Sequence, residues 1–144
     1  MDYTELAYQF LQNMYDFQRS SRQKQIDETM RGEGFALLYI SRQEGSVLPG
    51  DISSAMNIST ARIAAALNSM ENKGLITRRI DKEDRRRILV ELTEAGRRLA
   101  AERDQMALSH TKQMLELLGE SDAKALVRIL RRLSELAPGF HHTE

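Results

Sequence analysis

The sequence predicts an all-α protein that carries one small β-hairpin. Three observations lead to this fold class. Apolar residues recur at spacings of three and four over most of the 144 residues, as amphipathic helices require. Two short runs rich in branched residues, 75–80 and 88–92, flank a charged loop, which is typical of a hairpin. Glycine, proline and hydroxyl residues stand where helices are expected to begin and end.

Composition limits the classes of function. The chain has 21 basic and 21 acidic residues and no cysteine, so disulfides and thiol chemistry are excluded. No apolar run approaches the roughly 18 residues that a membrane-spanning helix needs. The first residues lack the basic-then-apolar pattern of a signal peptide. We therefore expect a cytoplasmic protein that does not engage a membrane.

The N-terminal part predicts two helices. Residues 3–28 form the first, with an apolar face of Tyr3, Leu6, Ala7, Phe10, Leu11, Met14 and Phe17. Two glycines predict a break over residues 31–34. A short helix follows and ends before residues 45–48. Its apolar face consists of Phe35, Leu38 and Tyr39.

Two more helices are predicted on either side of a tight turn at residues 57–59. Pro49 suits the first position of a helix over 49–56, because its missing N–H is not needed there. Ser59 is expected to cap a helix over 60–72 by accepting a bond from a free backbone N–H. Gly74 ends that helix. The core faces of the two helices are Ile52, Ala55 and Met56 in the first, and Ile63, Leu67 and Met70 in the second.

The C-terminal part predicts two further helices. Thr93 caps a long helix over 94–118, and Glu94 in its first turn suits the positive end of the helix dipole. Ser121 is expected to cap the last helix after Gly119, and residues 137–139 stop it. The apolar stripe of the last helix consists of Leu126, Ile129, Leu130, Leu133 and Leu136.

The predicted order is helix, short helix, tight turn, helix and hairpin, which is that of a winged helix-turn-helix. A helix fits the major groove of DNA, which is about 12 Å wide, and the preceding helix braces it across the backbone. Charge is distributed accordingly. Residues 60–93 contain eight basic and five acidic side chains, whereas residues 1–59 contain five and eight. A local basic patch of this kind favours contact with phosphates.

The hairpin also carries a specific motif. Its parts are the run from Leu75 to Arg79, then Asp84-Arg85-Arg86, then the run from Leu92 to Gly96. Residues 48–96 thereby resemble the multiple-antibiotic-resistance regulator (MarR) family. The spacing Asp84-x-Arg86, a branched apolar run and then Leu-Thr-x-x-Gly carries this resemblance, and the flanking helices agree with it more loosely.

The resemblance implies a transcriptional regulator that binds a palindromic operator in double-stranded DNA as a homodimer. Repression is the expected mode of regulation. Residues 35–96 would be the winged helix-turn-helix domain. Residues 1–34 and 119–144, with the end of the 94–118 helix, would form the helical dimerisation region. Arg86 resembles the wing arginine that enters the minor groove, and Asp84 the acid that holds the wing in shape. The expected DNA-binding residues are Ser59, Thr60, Ala61, Arg62, Asn68, Ser69, Lys82, Asp84, Arg85, Arg86 and Arg87.

Family members often bind small aromatic effectors between the two regions, so a small aromatic effector is a candidate partner. Phe10, Met14, Phe17, Phe35 and Tyr39 are candidates for such a pocket, and the alternative is that they form an ordinary core. His110 lies on the apolar stripe of the long helix. There a single histidine is better explained as an interface or core group than as a metal ligand.

We expect no cofactor, no metal site and no catalytic residues. A glycine-rich phosphate loop, a nucleophile elbow and a metal-binding histidine pair are all absent from the sequence. The alternative to a DNA-binding regulator is a winged-helix module that binds another protein, because a fold alone does not establish a function.

Overall fold

The computed structural model describes residues 2–20 and 28–137. Its elements follow the predicted order of helices with one hairpin. They are α1 (Tyr3–Ser20), α2 (Glu28–Ser41), α3 (Pro49–Met56), α4 (Thr60–Asn72), β1 (Ile76–Ile80), β2 (Ile88–Leu92), α5 (Glu94–Leu118) and α6 (Glu120–Leu136). The chain divides into two compact units, one up to Gly96 and one from Arg97 onward.

The core of the first unit is built from α2, α3, α4 and the hairpin. Its largest fully buried side chains are Leu37, Ile52, Ile63, Leu67, Met70, Ile76 and Val90. Each buried aliphatic side chain of this size contributes about 1.5–3 kcal/mol relative to exposure. In this core α4 packs against α2, α3 and β1.

The hairpin is antiparallel, and Ile76 pairs with Leu92 at its base while Ile80 pairs with Ile88 near its tip. Val47, in the connection before α3, forms a bridge with Val90. Their backbone groups exchange two hydrogen bonds of 3.0 and 2.8 Å. The sequence predicts only a loop at Val47. The bridge ties the α2–α3 connection to the wing.

The predicted break at residues 31–34 is wrong, because α2 runs through Gly32 and Gly34. A glycine inside a helix is unfavourable by about 1 kcal/mol relative to alanine, but packing of the remaining residues outweighs this. Over residues 32–41 of α2, the buried side chains are Glu33, Ala36, Leu37 and Ile40, at helical spacing. The predicted core face is also wrong, since Phe35 is exposed and Leu38 and Tyr39 are half-buried.

In α3 the predicted Ile52 is buried, whereas Ala55 is exposed and Met56 is half-buried. Ser53 takes the second buried position, where its hydroxyl donates to Gly50 O at 3.0 Å. A serine whose hydroxyl bonds to its own helix can occupy a core position without an unsatisfied polar group. The predicted bounds of this helix are confirmed.

The predicted first helix is confirmed over residues 3–20, and residues 21–27 of the prediction lie outside the described residues. Its apolar side chains do not enter a core. Phe10, Leu11 and Phe17 are each at least half exposed. The face is therefore amphipathic in sequence but uncovered in the single chain.

The second unit consists of most of α5 and of α6, which meet at Gly119. Gly119 has a φ of +79° and is the N-cap of α6, without a side-chain capping bond. The predicted cap at Ser121 is wrong, because α6 has already begun at Glu120 and Ser121 lies inside it. No residue of α6 is buried, so the predicted apolar stripe lies at the surface of the single chain.

Candidate nucleic-acid interface

The helix α4 has one buried and one exposed face. Ile63, Ala66, Leu67 and Met70 hold it on the core. Of the DNA-binding residues predicted there, Ser59, Thr60, Ala61, Arg62 and Asn68 are exposed and Ser69 is half-buried. The face opposite the core projects little beyond the helix backbone, because the residues around Asn68, at 61, 64 and 65, are alanines. This shape leaves the backbone of α4 open to close approach by another molecule.

Both ends of α4 are fixed by local bonds. At its start, Ser59 Oγ accepts a hydrogen bond from Arg62 N at 3.2 Å, which confirms the predicted cap. A cap of this kind contributes about 1 kcal/mol. At its end, Leu75 N donates to Met70 O and Gly74 N to Glu71 O, both at 3.0 Å. Gly74 has a φ of +73°, as this double-bonded helix end requires.

The turn before α4 depends on Asn57, which adopts the left-handed conformation with φ 53° and ψ 47°. Asparagine tolerates this conformation better than most side chains. Asn57 N donates to Ser54 O and Ile58 N to Ser53 O. The angle between α3 and α4 is thus fixed by the backbone itself.

A side-chain network joins α4 to the wing. Arg78 on β1 donates through Nε to Glu71 Oε2 at 2.8 Å and through Nη2 to Asn68 Oδ1 at 2.7 Å. The bond to Glu71 lowers the pKa of that carboxyl and raises the pKa of Arg78. Asn68 and Glu71 are one turn apart on α4, so one guanidinium connects two positions of the helix to the strand.

The tip of the wing is a turn whose acidic residues bond to its own backbone. Asp81 Oδ1 accepts from Glu83 N at 3.0 Å, and Asp84 Oδ1 accepts from Arg86 N at 3.1 Å. Arg87 N donates to Asp84 O, and Asp81 N to Arg87 O, which closes the loop. Local bonds of this type stabilise turns against competing conformations. The backbone of the wing tip is therefore preorganised.

The exposed charge of the wing tip is mainly positive. Asp81 and Asp84 are half-buried, whereas Glu83 and the four basic residues are exposed: Lys82, Arg85, Arg86 and Arg87. The side chain of Arg86 is 91% exposed and donates through Nε to Asp84 Oδ1 at 3.2 Å. The side-chain and backbone bonds from Arg86 hold the pKa of Asp84 below its usual range. The wing tip presents guanidinium groups at a fixed place, as binding to phosphates or a narrow groove requires.

The predicted effector residues lie on two helices. Phe10, Met14 and Phe17 are on α1, and Phe35 and Tyr39 are on α2. The rings of Phe35 and Tyr39 stack with their centroids 6.5 Å apart. In the single chain these residues do not form a core, because four of the five are exposed and Tyr39 is half-buried. Their role in a pocket stays a prediction.

Three residues of this region, Glu71, Lys73 and Arg78, are missing from the predicted DNA-binding set. Arg78 and Glu71 bond to each other across the interface, and Lys73 Nζ, at the end of α4, donates to the buried Glu33 of α2 at 2.7 Å. These contacts join residues that lie in different elements, and the charge of a residue does not indicate which partner its side chain will bond to. A basic residue in the first strand and an acid at the last turn of α4 are the only signals in the sequence.

The structure also bears on metal and membrane binding. In the part of the chain that the structure describes, no group of three or more histidine, aspartate or glutamate side chains is placed to hold a metal ion. His110 is exposed on α5, so it is not a core group in the single chain. Among the described helices, none is long and apolar enough to cross a membrane.

The chain is similar to known regulators in sequence and in structure. A MarR family model matches residues 31–87. The uncharacterized HTH-type transcriptional regulator YwhA of Bacillus subtilis is 30% identical over 118 residues, which are 78% of this chain and 84% of that protein. The uncharacterized HTH-type transcriptional regulator YdgJ of the same organism is 28% identical over 67% of this chain, and the match spans only 59% of that relative.

A structural comparison agrees on the fold. Streptococcus pneumoniae FabT, solved in complex with DNA, superposes with a TM-score of 0.69 at 21% identity, covering 94% of this chain and 96% of that one. At this identity the match establishes the winged-helix fold and no more. The sequence relationship to YwhA, together with the family match, goes further. The chain belongs to the MarR family of DNA-binding transcriptional regulators.

Proposed function

We propose that this protein represses transcription by binding a palindromic operator as a homodimer, with α4 in the major groove and the wing tip in the adjacent minor groove. The observation that carries the proposal is that one packed unit contains both an exposed α4 face of small side chains and a basic wing whose turn is preorganised. FabT, of the same fold, was solved in complex with DNA.

The surfaces of α4 and the wing would have separate tasks. Exposed side chains on α4 contact base edges, where discrimination between bases is greatest. Arg86 enters the minor groove, whose negative potential is enhanced where the groove is narrow. Lys82, Arg85 and Arg87 contribute phosphate contacts, which add affinity without sequence preference.

Dimerisation follows from the uncovered apolar faces. On α6, Ile129, Leu130, Leu133 and Leu136 are all more than half exposed, and α1 carries a comparable set. Large contiguous apolar patches are rare on monomers and mark interaction surfaces. The proposed dimerisation region comprises residues 1–34 and 119–144 with the end of α5, and the DNA-binding domain comprises residues 35–96. A two-fold dimer would place its two α4 helices about one DNA turn, roughly 34 Å, apart.

An effector would act through α2, which packs against α4 and is bonded to its end by Glu33 and Lys73. A small aromatic molecule could bind more tightly to a dimer whose α4 helices have a spacing that does not fit DNA. Its binding would then weaken DNA affinity by the difference between its affinities for this form and for the DNA-binding form. Phe35 and Tyr39 are the aromatic groups on that helix. Benzoate and phenol are suitable first probes in a DNA-binding titration.

The proposal implies a cytoplasmic location, because a transcriptional regulator must reach the chromosome. It includes no catalytic activity, because the relatives are regulators. A winged-helix module that binds only another protein is not favoured for the same reason. Selection of bound sequences from random duplex DNA tests the proposal. Enrichment of a palindrome with half-sites one helical turn apart supports it, and failure to enrich any sequence overturns it.

A further inference from the structure

The side chain of Asn68 is the longest polar group at the centre of the exposed face of α4, and its amide is already in use. Arg78 Nη2 donates to Asn68 Oδ1 at 2.7 Å. Arginine has no acceptor atom, so the oxygen of the amide is the atom that faces it. Within the described part of the chain, no hydrogen bond from Asn68 Nδ2 to another residue is present. The donor half of the amide is left for DNA.

We propose that Arg78 restricts Asn68 to the role of a hydrogen-bond donor, so that Asn68 favours guanine and does not form the two-bond contact with adenine that asparagine usually makes. This inference rests on the proposed function, since it takes α4 as the recognition helix. It makes Arg78 a positioning residue for base recognition, although Arg78 itself need not contact DNA.

The base edges explain the preference. An asparagine that recognises adenine donates to N7 and accepts from the N6 amino group, so it needs both halves of its amide. The guanidinium occupies one of the two lone pairs of that oxygen with a strong, charge-assisted bond and holds the amide in one orientation, so the oxygen is less available to the N6 amino group of adenine. Guanine presents two neighbouring acceptors, N7 and O6, whereas cytosine presents a donor. A fixed N–H donor therefore favours guanine over adenine and disfavours cytosine.

The network around Arg78 is built to hold this geometry. The guanidinium is bonded to Glu71 through Nε at 2.8 Å and to Asn68 one turn away, and its side chain is only 27% exposed. Its charge is balanced by Glu71, whose pKa is lowered by the same bond. A half-buried arginine with two partners of this kind is poorly suited to exchange them for phosphate. Arg78 thus differs from the exposed arginines of the wing.

The test uses the full-length protein and the operator obtained by selection, with all four base pairs placed in turn at each half-site position. Fluorescence anisotropy gives the affinity of wild type, Asn68→Ala, Arg78→Met and the double variant for each duplex. At the position where Asn68→Ala changes selectivity, we expect wild type to prefer guanine to adenine by about tenfold, the size of one typical mismatch. Arg78→Met should reduce this ratio strongly when Asn68 is present and leave it unchanged when Asn68 has already been replaced by alanine.

Two more variants guard against a loss of fold. Asn68→Asp keeps the bond to Arg78 but removes the donor, so it should abolish the guanine preference while circular dichroism stays that of wild type. Glu71→Gln retains an acceptor for Arg78 and should preserve the preference. An adenine preference in wild type overturns the inference. An equal effect of Arg78→Met with and without Asn68 also overturns it, because Arg78 would then act directly. Absence of binding to any duplex by wild type overturns the proposed function as well.

Discussion

At the scale of single residues, the wing depends on the carboxylate of Asp84. One of its oxygens accepts from both the backbone N–H and the side chain of Arg86. The exposed arginine is thereby oriented by its own turn rather than by a neighbouring element. Arg86 combines exposure with a defined starting position, which lowers the conformational entropy lost when it enters a groove.

We expect Arg86→Ala to weaken DNA binding by about tenfold or more and to leave the fold intact. The side chain is almost fully exposed, so its loss removes a groove contact without opening the core. Titration of operator duplex measures the effect. The matched control is Arg132→Ala, which removes the same charge from an exposed position on α6 and should change affinity little. Equal affinities of wild type and Arg86→Ala would refute the role of Arg86.

The pH dependence of the wing follows from Asp84, whose pKa is lowered chiefly by the side-chain bond from Arg86 and next by its backbone N–H. Because the folded pKa lies below the unfolded value of about 3.9, the stabilisation is present above that pH and is lost as pH falls through the folded pKa. NMR titration of the Asp84 carboxyl carbon should give a midpoint below about 3.9, and Arg86→Ala should raise it. An unshifted midpoint in wild type would contradict the bonding described here.

At the scale of elements, several hydrogen bonds constrain the corner where α4, β1 and the first turn of α5 meet. Thr93 Oγ1 donates to Gly74 O at 2.6 Å and accepts from Gly96 N at 3.0 Å, while Thr93 N donates to Leu75 O. The Leu-Thr-x-x-Gly part of the motif therefore has a structural reason. Thr93 caps α5 and bonds to Gly74 at the end of α4. Gly96 permits the backbone of α5 to approach the backbone at Leu75 closely.

A Cβ at Gly96 would lie 2.1 Å from Leu75 O, a backbone atom that cannot give way cheaply. We expect Gly96→Ala to destabilise the protein by about 1–3 kcal/mol or more, as overpacking does. Gly50→Ala is the control, because nothing lies within 4 Å of a Cβ there. It should be neutral or stabilise by up to about 1 kcal/mol. Urea denaturation measures both, and similar midpoints for the two variants would contradict the close contact.

The elements also show what local sequence can and cannot predict. The sequence predicts the Ser59 cap, the Gly74 terminus and, to within one residue, the bounds of the hairpin strands, because each depends on residues a few positions apart. The break at Gly32 and Gly34 was wrong, because burial of later residues in α2 decides that helix. The bond between Arg78 and Asn68 joins residues ten positions apart in different elements, and no local pattern indicates it.

At the scale of the whole molecule, the single chain leaves too much apolar surface uncovered. The last helix has no buried residue, and the largest exposed fraction among the members of its predicted stripe is 71%, at Leu136. A groove of about 510 Å³ lies along α5 and α6, lined in part by Leu108, Leu115 and Ala123. The same helical periodicity predicts a core face and a dimer face, so the sequence alone could not distinguish them.

We therefore expect light scattering to give twice the chain mass of 16.5 kDa at micromolar concentration, with or without DNA. Obligate interfaces of this kind commonly bury about 2,000 Å² or more. Leu133→Asp should produce monomers or aggregates, whereas Glu135→Lys, on the polar side of the same helix, should remain dimeric. A well-behaved wild-type monomer at high concentration would exclude the operator geometry proposed above.

Hydroxyl-radical footprinting on the selected operator tests the central claim most directly, because the radicals attack the sugars that line the minor groove. Two copies that bind with α4 in the major groove and the wing in the minor groove predict a two-fold symmetric pattern with protection at the outer edge of each half-site. Arg86→Ala, at concentrations that still saturate the operator, should lose protection at those edges alone. Unaltered protection by Arg86→Ala, or a pattern without two-fold symmetry, would contradict the account.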